Sequence, residues 1–112
     1  MEEKVDFPYR PKRNIVIFGQ RPAWGKVIKQ HLKDVEIICE DTSSKNYERK
    51  ISEADLVWIH LKVSHSFYGK VLKSCRKYKI EVKHFYRQGG KSCAREVYNY
   101  EEKGEYINYL TK

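Results

Sequence analysis

Four short apolar, β-branched runs alternate with segments whose apolar residues recur at helical spacing, and this alternation constrains the fold more than any other feature of the chain. Asn14-Ile-Val-Ile-Phe18 is a continuous apolar run stopped by Gly19, the pattern of a strand buried on both faces. Val35–Cys39 and Leu56–His60 repeat it, and Ile80–Phe85 is a weaker fourth whose alternation suits a partly exposed edge. After the first run, Trp24, Val27, Ile28 and Leu32 mark one helical stripe opposite Lys26, Lys29 and Lys33, with Pro22 in the first turn, where its missing N–H costs nothing. A short helix is expected near Asn46–Ser52. Ser64 is placed to cap the next one, whose apolar face is Phe67, Tyr68, Val71, Leu72 and Cys75, up to about Tyr78. Gly89 and Gly90 break the chain before a last helix expected from Ser92 to about Glu102.

Strand and helix in strict alternation imply a parallel sheet sandwiched by helices with right-handed crossovers. The fold class is therefore α/β: a small three-layer Rossmann-like or flavodoxin-like domain with a four-stranded parallel sheet in the order 2-1-3-4. A chain of 112 residues has room for one such domain, taken as 14–112. Residues 1–13, polar and carrying Pro8 and Pro11, read as a flexible arm. The tail from Gly104 to Lys112 holds Tyr106, Ile107, Tyr109 and Leu110, which are expected to dock on the body or on a second subunit, making a homodimer.

The composition excludes several classes. At 40% hydrophobic and 34% charged residues the chain has material for a core and is not wholly disordered. Its longest apolar stretches fall far short of the roughly 20 residues a membrane span needs. The opening Met1-Glu-Glu-Lys4 lacks the apolar region of a signal peptide, so a cytoplasmic location is expected. Three cysteines, Cys39, Cys75 and Cys93, form no close pair, which argues against a disulfide framework or a zinc ribbon and for free thiols.

The formal charge of +8 is unevenly spread: Lys62 to Arg95 holds ten basic residues against one acid, Glu81. Such a block attracts anions, phosphate above all. Lys70, Lys73, Lys77 and Lys79 are accounted for by a solvated helix face, so position must decide the others. In open parallel sheets ligands bind beyond the carboxyl ends of the strands, at the switch point between strands 1 and 3. That rule selects the loops 19–25, 61–65 and 86–92. They supply Gly19, Gln20, Arg21, Lys62, Ser64, His65, Arg87, Gln88, Gly89, Gly90, Lys91 and Ser92. Helix N-termini at Pro22, His65 and Ser92 point toward the same crevice, where unpaired N–H groups suit an anion. Capping by Ser64, turning by the glycines and surface solvation of Arg21 would explain each residue singly. Their convergence favours a ligand site.

Sharper motifs are incomplete. Gly90-Lys91-Ser92 resembles the end of a phosphate-cradling loop, but Phe85 stands where that loop needs glycine. Residues 19–25 lack the dinucleotide glycine fingerprint, although Glu40 and Asp41 end strand 2 where a ribose partner would sit. His60, His65 and Cys93 match no ordinary metal spacing. Cys93, near a helix N-terminus, could be a stabilised thiolate with His65 as base, but nothing in the sequence fixes that geometry. The crevice loops hold no paired carboxylates. No catalytic residue, metal or cofactor is expected, and the balance leans away from an enzyme.

Gly19-Gln-Arg-Pro-Ala-Trp24, Ala54-Asp-Leu-Val-Trp-Ile59 and Ser64-His-Ser-Phe-Tyr-Gly-Lys-Val-Leu72, in this order and spacing, resemble the bacterial domain of unknown function family 2325, over about Asn14 to Glu96. The resemblance implies a Rossmann-like fold and carries no established reaction. It places Gly19, Arg21, Pro22, Ser64, His65 and Tyr68 at the family's signature positions. The chain departs from many relatives in having Gln20 for a second glycine and His60, Leu61 and Lys62 where polar residues such as threonine, aspartate or asparagine are common; the lysine makes this crevice more attractive to anions.

Three functions follow as expectations. The first is a small non-enzymatic binding module for a phosphorylated small molecule or nucleotide. The second is a nucleic-acid-binding accessory protein using Lys70, Lys73, Arg76, Lys77, Arg87, Lys91 and Arg95, with Tyr86, Tyr98 and Tyr100 as stacking platforms. The third is an interaction module or inhibitor that shows its basic face to an acidic partner.

Overall fold

The computed structural model describes residues 8–40 and 47–106. Four strands, β1 (Ile15–Gly19), β2 (Glu36–Cys39), β3 (Leu56–Ile59) and β4 (Glu81–His84), lie in one parallel sheet ordered β2-β1-β3-β4. Helices α1 (Pro22–His31), α2 (Tyr47–Ser52), α3 (His65–Tyr78) and α4 (Gly90–Lys103) alternate with them. The fold is thus the small Rossmann-like α/β domain that the alternation implies, and its strand order is the one expected by analogy with such domains.

Successive strand residues point to opposite faces, and both faces are covered. Ile15, Ile17, Leu56 and Trp58 face α1 and α4, meeting Ile28, Cys93, Ala94 and Val97. Val16, Phe18, Val57 and Ile59 face α2 and α3, meeting Ile51, Phe67, Val71 and Cys75. The central strands β1 and β3 are buried throughout, which is why their sequences are unbroken apolar runs, while β4 at the edge is partly exposed. Trp58 stacks on Phe85 at 4.8 Å and 21° and meets the edges of Tyr100 and Tyr106 at 5.9 and 5.8 Å.

Several boundaries differ from expectation. The expected arm is anchored from residue 8 onward, in that Tyr9 donates its N–H to the His31 carbonyl and accepts the Lys33 N–H, both at 2.8 Å. Its hydroxyl donates to Glu102 at 2.7 Å, its ring packs on Tyr98, and the Arg13 guanidinium pairs with Glu101. One aromatic anchor and one ion pair outweigh the polar composition that suggested an arm; residues 1–7 lie outside the described region.

Helix α4 begins at Gly90 rather than Ser92. Gly90 is there for close helix packing, since a Cβ would sit 2.8 Å from the Val27 Cβ and 3.1 Å from the Trp24 carbonyl oxygen of α1. In the tail, Tyr106 docks on the body, its hydroxyl accepting the His84 N–H at 3.0 Å. The Lys83 ammonium lies over the Tyr106 and Tyr100 rings at 4.5 and 5.0 Å. Ile107, Tyr109 and Leu110 are outside the described residues. Among the described residues no helix is long and apolar enough to cross a membrane.

Candidate functional site

Parallel strands deliver the turns after β1, β3 and β4 to one edge of the sheet, and there they enclose a cleft of about 410 Å³. Its lining is Gln20, Arg21, Trp24, His60, Lys62, Gln88 and Gly89. Of the residues expected from sequence, Gln20, Arg21, Lys62, Gln88 and Gly89 are brought together here. Arg21 and Gly89 are the N-cap residues of α1 and α4, and neither caps its helix with a side-chain hydrogen bond. Two cations and two helix N-termini therefore share one cleft, and no carboxylate lines it among the described residues.

Trp24 and His60 form its wall and floor, roles the sequence did not separate from core packing. Trp24 is half-buried over Gly19, where a Cβ would come within 2.2 Å of the indole ring; Gly19 thus seats Trp24 instead of lining the cleft. The Trp24 ring meets His60 at 4.7 Å and the Phe85 edge at 5.7 Å. His60 is 5% exposed, and its Nε2 is 3.0 Å from the Gln88 carbonyl. A carbonyl only accepts, so Nε2 carries the proton and Nδ1, which has no hydrogen-bond partner among the described residues, carries the lone pair. Burial holds the His60 pKa below its ordinary value, and the nearby Lys62 charge pushes the same way against the Gln88 bond. A polar residue closing an otherwise apolar strand run was the signal that could have marked His60.

The remaining expected residues lie elsewhere. The N-terminus of α3 was expected to offer free N–H groups, and there the Glu40 carboxylate sits on the N-cap residue Ser64. One Glu40 oxygen accepts the Ser64 N–H at 2.9 Å and the other accepts the Ser64 hydroxyl proton. Ser64 Oγ in turn accepts the Phe67 N–H at 3.1 Å, the capping role. His65 is exposed on the first turn of α3. Gly90, Lys91 and Ser92 form the first turn of α4 directly after the cleft residue Gly89 and are not themselves among the lining residues. Arg87 gives its N–H to Glu96 at 3.0 Å, as Tyr86 does at 2.7 Å, and with Ser92 and Arg95 it lines a separate recess of about 330 Å³.

The thiolate expectation for Cys93 is overturned. Cys93 is fully buried and donates its S–H to the Arg87 carbonyl at 3.2 Å. Burial pushes its pKa up to about 12, and the Glu96 charge adds to this. Desolvation outweighs the helix dipole. His65 belongs to the helix layer on the other side of the sheet, so no Cys–His pair forms. No cluster of three metal-ligating side chains occurs among the described residues.

The basic block is contiguous in sequence but divided in space. Lys70, Lys73, Arg76 and Lys77 belong to α3, on one side of the sheet, whereas Lys91 and Arg95 belong to α4 on the other and Arg87 to its approach. Lys77 is paired with Glu48 at 2.8 Å. Of the three tyrosines, Tyr98 packs on Tyr9 and Tyr100 on Trp58, while Tyr86 is 46% exposed beneath the Arg87 guanidinium.

Tyr68 and His84 carry a second, partly buried polar contact, with the hydroxyl and Nε2 2.7 Å apart, and burial lowers the His84 pKa as it does that of His60. The unfolded state therefore binds protons that the folded state refuses. Stability contributed by the two neutral imidazoles is complete above the ordinary value of 6.5 and is lost as pH falls from there toward the depressed folded values. Thermal melts between pH 8 and 5 are expected to show a decline beginning near 6.5, with a slope of at most about 1.4 kcal/mol per pH unit for each imidazole. His84→Gln should flatten that slope. An equally steep decline in the variant would remove His84 from the account.

No family model matches the chain. No curated protein matches it either. Among solved structures, it is similar to one described as a GCN5-related glucosamine N-acetyltransferase region in a fungal multi-domain GH3 beta-N-acetylglucosaminidase. The identity is 14% and the TM-score 0.48, over 66% of this chain and 10% of that one. The chain thus spans a tenth of that protein's length.

Proposed function

We propose that the chain is a small binding module that takes a phosphate-bearing ligand in the cleft beyond β1 and β3. The observation that carries this is the meeting of Arg21 and Lys62 with two helix N-termini in a cleft whose described lining holds no acid. Each element favours an anion independently: the guanidinium offers a planar fork of donors, the ammonium a point charge, and the helix ends a positive dipole. At α3 the Glu40 carboxylate already sits on the N-cap residue Ser64, so binding is expected on the α1 and α4 side. The resemblance to family 2325 fits this reading, because its motif positions Arg21 and Pro22 open the helix that rims the cleft.

Titration with inorganic phosphate and ribose 5-phosphate, followed by nuclear magnetic resonance of backbone amides, tests it. Shifts should concentrate at Gln20, Arg21, Lys62 and Gly89. Arg21→Ala and Lys62→Ala should each weaken ribose 5-phosphate by about tenfold, the value of a charged hydrogen bond, while Lys70→Ala on α3 leaves it unchanged. Equal affinities in all four proteins would overturn the site.

A further inference from the structure

We infer that the cleft is built for a nucleoside monophosphate, with the base packed against Trp24 and the phosphate at Arg21 and Lys62; this rests on the phosphate reading above and names its ligand class.

The first observation is the state of Trp24. Its indole is half-buried, seated on Gly19, and braced by His60 at 4.7 Å and Phe85 at 5.7 Å, so the aromatic residue that lines the cleft is held in place. A ring already held in place binds a planar partner with little further loss of entropy. Base–aromatic contact is worth about 1–3 kcal/mol per base.

The second is the pair of glutamines. Gln20 and Gln88 both line the cleft, and each primary amide carries a donor and an acceptor, the combination that matches the edge of a base. The backbone of Gln88 is fixed from behind by the His60 ring, whose Nε2–H it accepts at 3.0 Å. One position therefore couples the floor of the cleft to a group able to read its contents.

The third is size. At about 410 Å³ the cleft lies near the small end of the range for small-molecule sites, about 300–1,000 Å³. One nucleotide is a reasonable occupant and a dinucleotide is not, in keeping with the missing glycine fingerprint after β1. A bare sugar phosphate would satisfy the cations and leave the indole face and both amides to water.

Calorimetric titration of the full chain with AMP, GMP, ribose 5-phosphate, adenosine and guanosine separates the two layers of the argument. AMP or GMP is expected to bind about tenfold or more tighter than ribose 5-phosphate, and each nucleoside more weakly than its monophosphate. Monophosphates no tighter than ribose 5-phosphate would overturn the base contact and leave the phosphate reading standing. Nucleosides as tight as their monophosphates would overturn the phosphate reading and leave the base contact, and no binding by any probe would overturn both. Gln20→Ala with Gln88→Ala supplies a variant at cleft-rim positions outside the core. It should bring the preferred monophosphate toward ribose 5-phosphate, with a clearly larger loss for the monophosphate than for ribose 5-phosphate. An equal loss for both probes would deny the glutamines a role in reading the base.

Discussion

Trp58→Ala is expected to remove about 3–5 kcal/mol of folding stability, the upper range for truncating a buried aromatic. Trp58 is 1% exposed, stacks on Phe85 at 4.8 Å, and receives the edges of Tyr100 and Tyr106. Deleting the indole leaves a void that the rigid central strand cannot collapse to fill, and it undercuts both tyrosines that roof β4. Single domains are stable by only about 5–15 kcal/mol, so this one change should bring the chain close to unfolding at physiological temperature. Urea melts of the wild type, Trp58→Ala and Trp58→Phe check it. Trp58→Phe keeps a ring over Phe85 and should lose less than half as much; a Trp58→Ala loss below about 1 kcal/mol would mean that the stack is not part of the core.

Gly19→Val is expected to destabilise by about 1–3 kcal/mol through overpacking and at the same time to deform the cleft. Even a single Cβ at Gly19 would lie 2.2 and 2.3 Å from two carbons of the Trp24 ring. The β1 backbone is held by ladders to β2 and β3 on both sides, so the indole must be the group that yields. It can do so only by leaving His60 and Phe85. Tryptophan fluorescence should report a displaced Trp24, and amide shifts at His60 and Gln88 should accompany it. Unchanged spectra together with unchanged stability would show that the ring is not seated on Gly19. Gly104→Ala is a control distinct in cause: a Cβ there meets nothing within 4 Å, and its cost would come from the left-handed φ of 70° alone.

The architecture was legible because burial on both faces of a parallel sheet writes itself into sequence as unbroken apolar runs. Asn14–Phe18 and Leu56–His60 are such runs, and with the helical stripes between them they imply a parallel sheet between helix layers; the strand order came by analogy with such domains. The part of the site that was legible, Gln20, Arg21, Lys62, Gln88 and Gly89, came from the same source, since topology alone decides which turns meet. What stayed hidden depends on side chains distant in sequence. That Glu40 sits on the N-cap residue of α3 could not be read from Ser64 and His65. The basic segment looked like one patch because Lys73 and Lys91 are close in sequence, yet β4 lies between their helices and sends them to opposite sides of the sheet. Tyr9 was masked by its polar neighbours, and Gly90 has the same letters whether it breaks a helix or lets two helices touch.

The exposed side of β4 is where a small open sheet is vulnerable, because an edge strand presents hydrogen-bonding groups to any other extended chain. Here three donors along and just past that edge are satisfied from within: the Tyr106 hydroxyl accepts the His84 N–H, and the two Glu96 oxygens accept those of Tyr86 and Arg87. Lys83 adds a charge folded back over two rings. These side chains serve as a substitute for a fifth strand, built without the crossover that a real one would need. A neighbouring strand therefore meets three donors already taken at this end of the edge, which makes pairing there less favourable than along a bare rim.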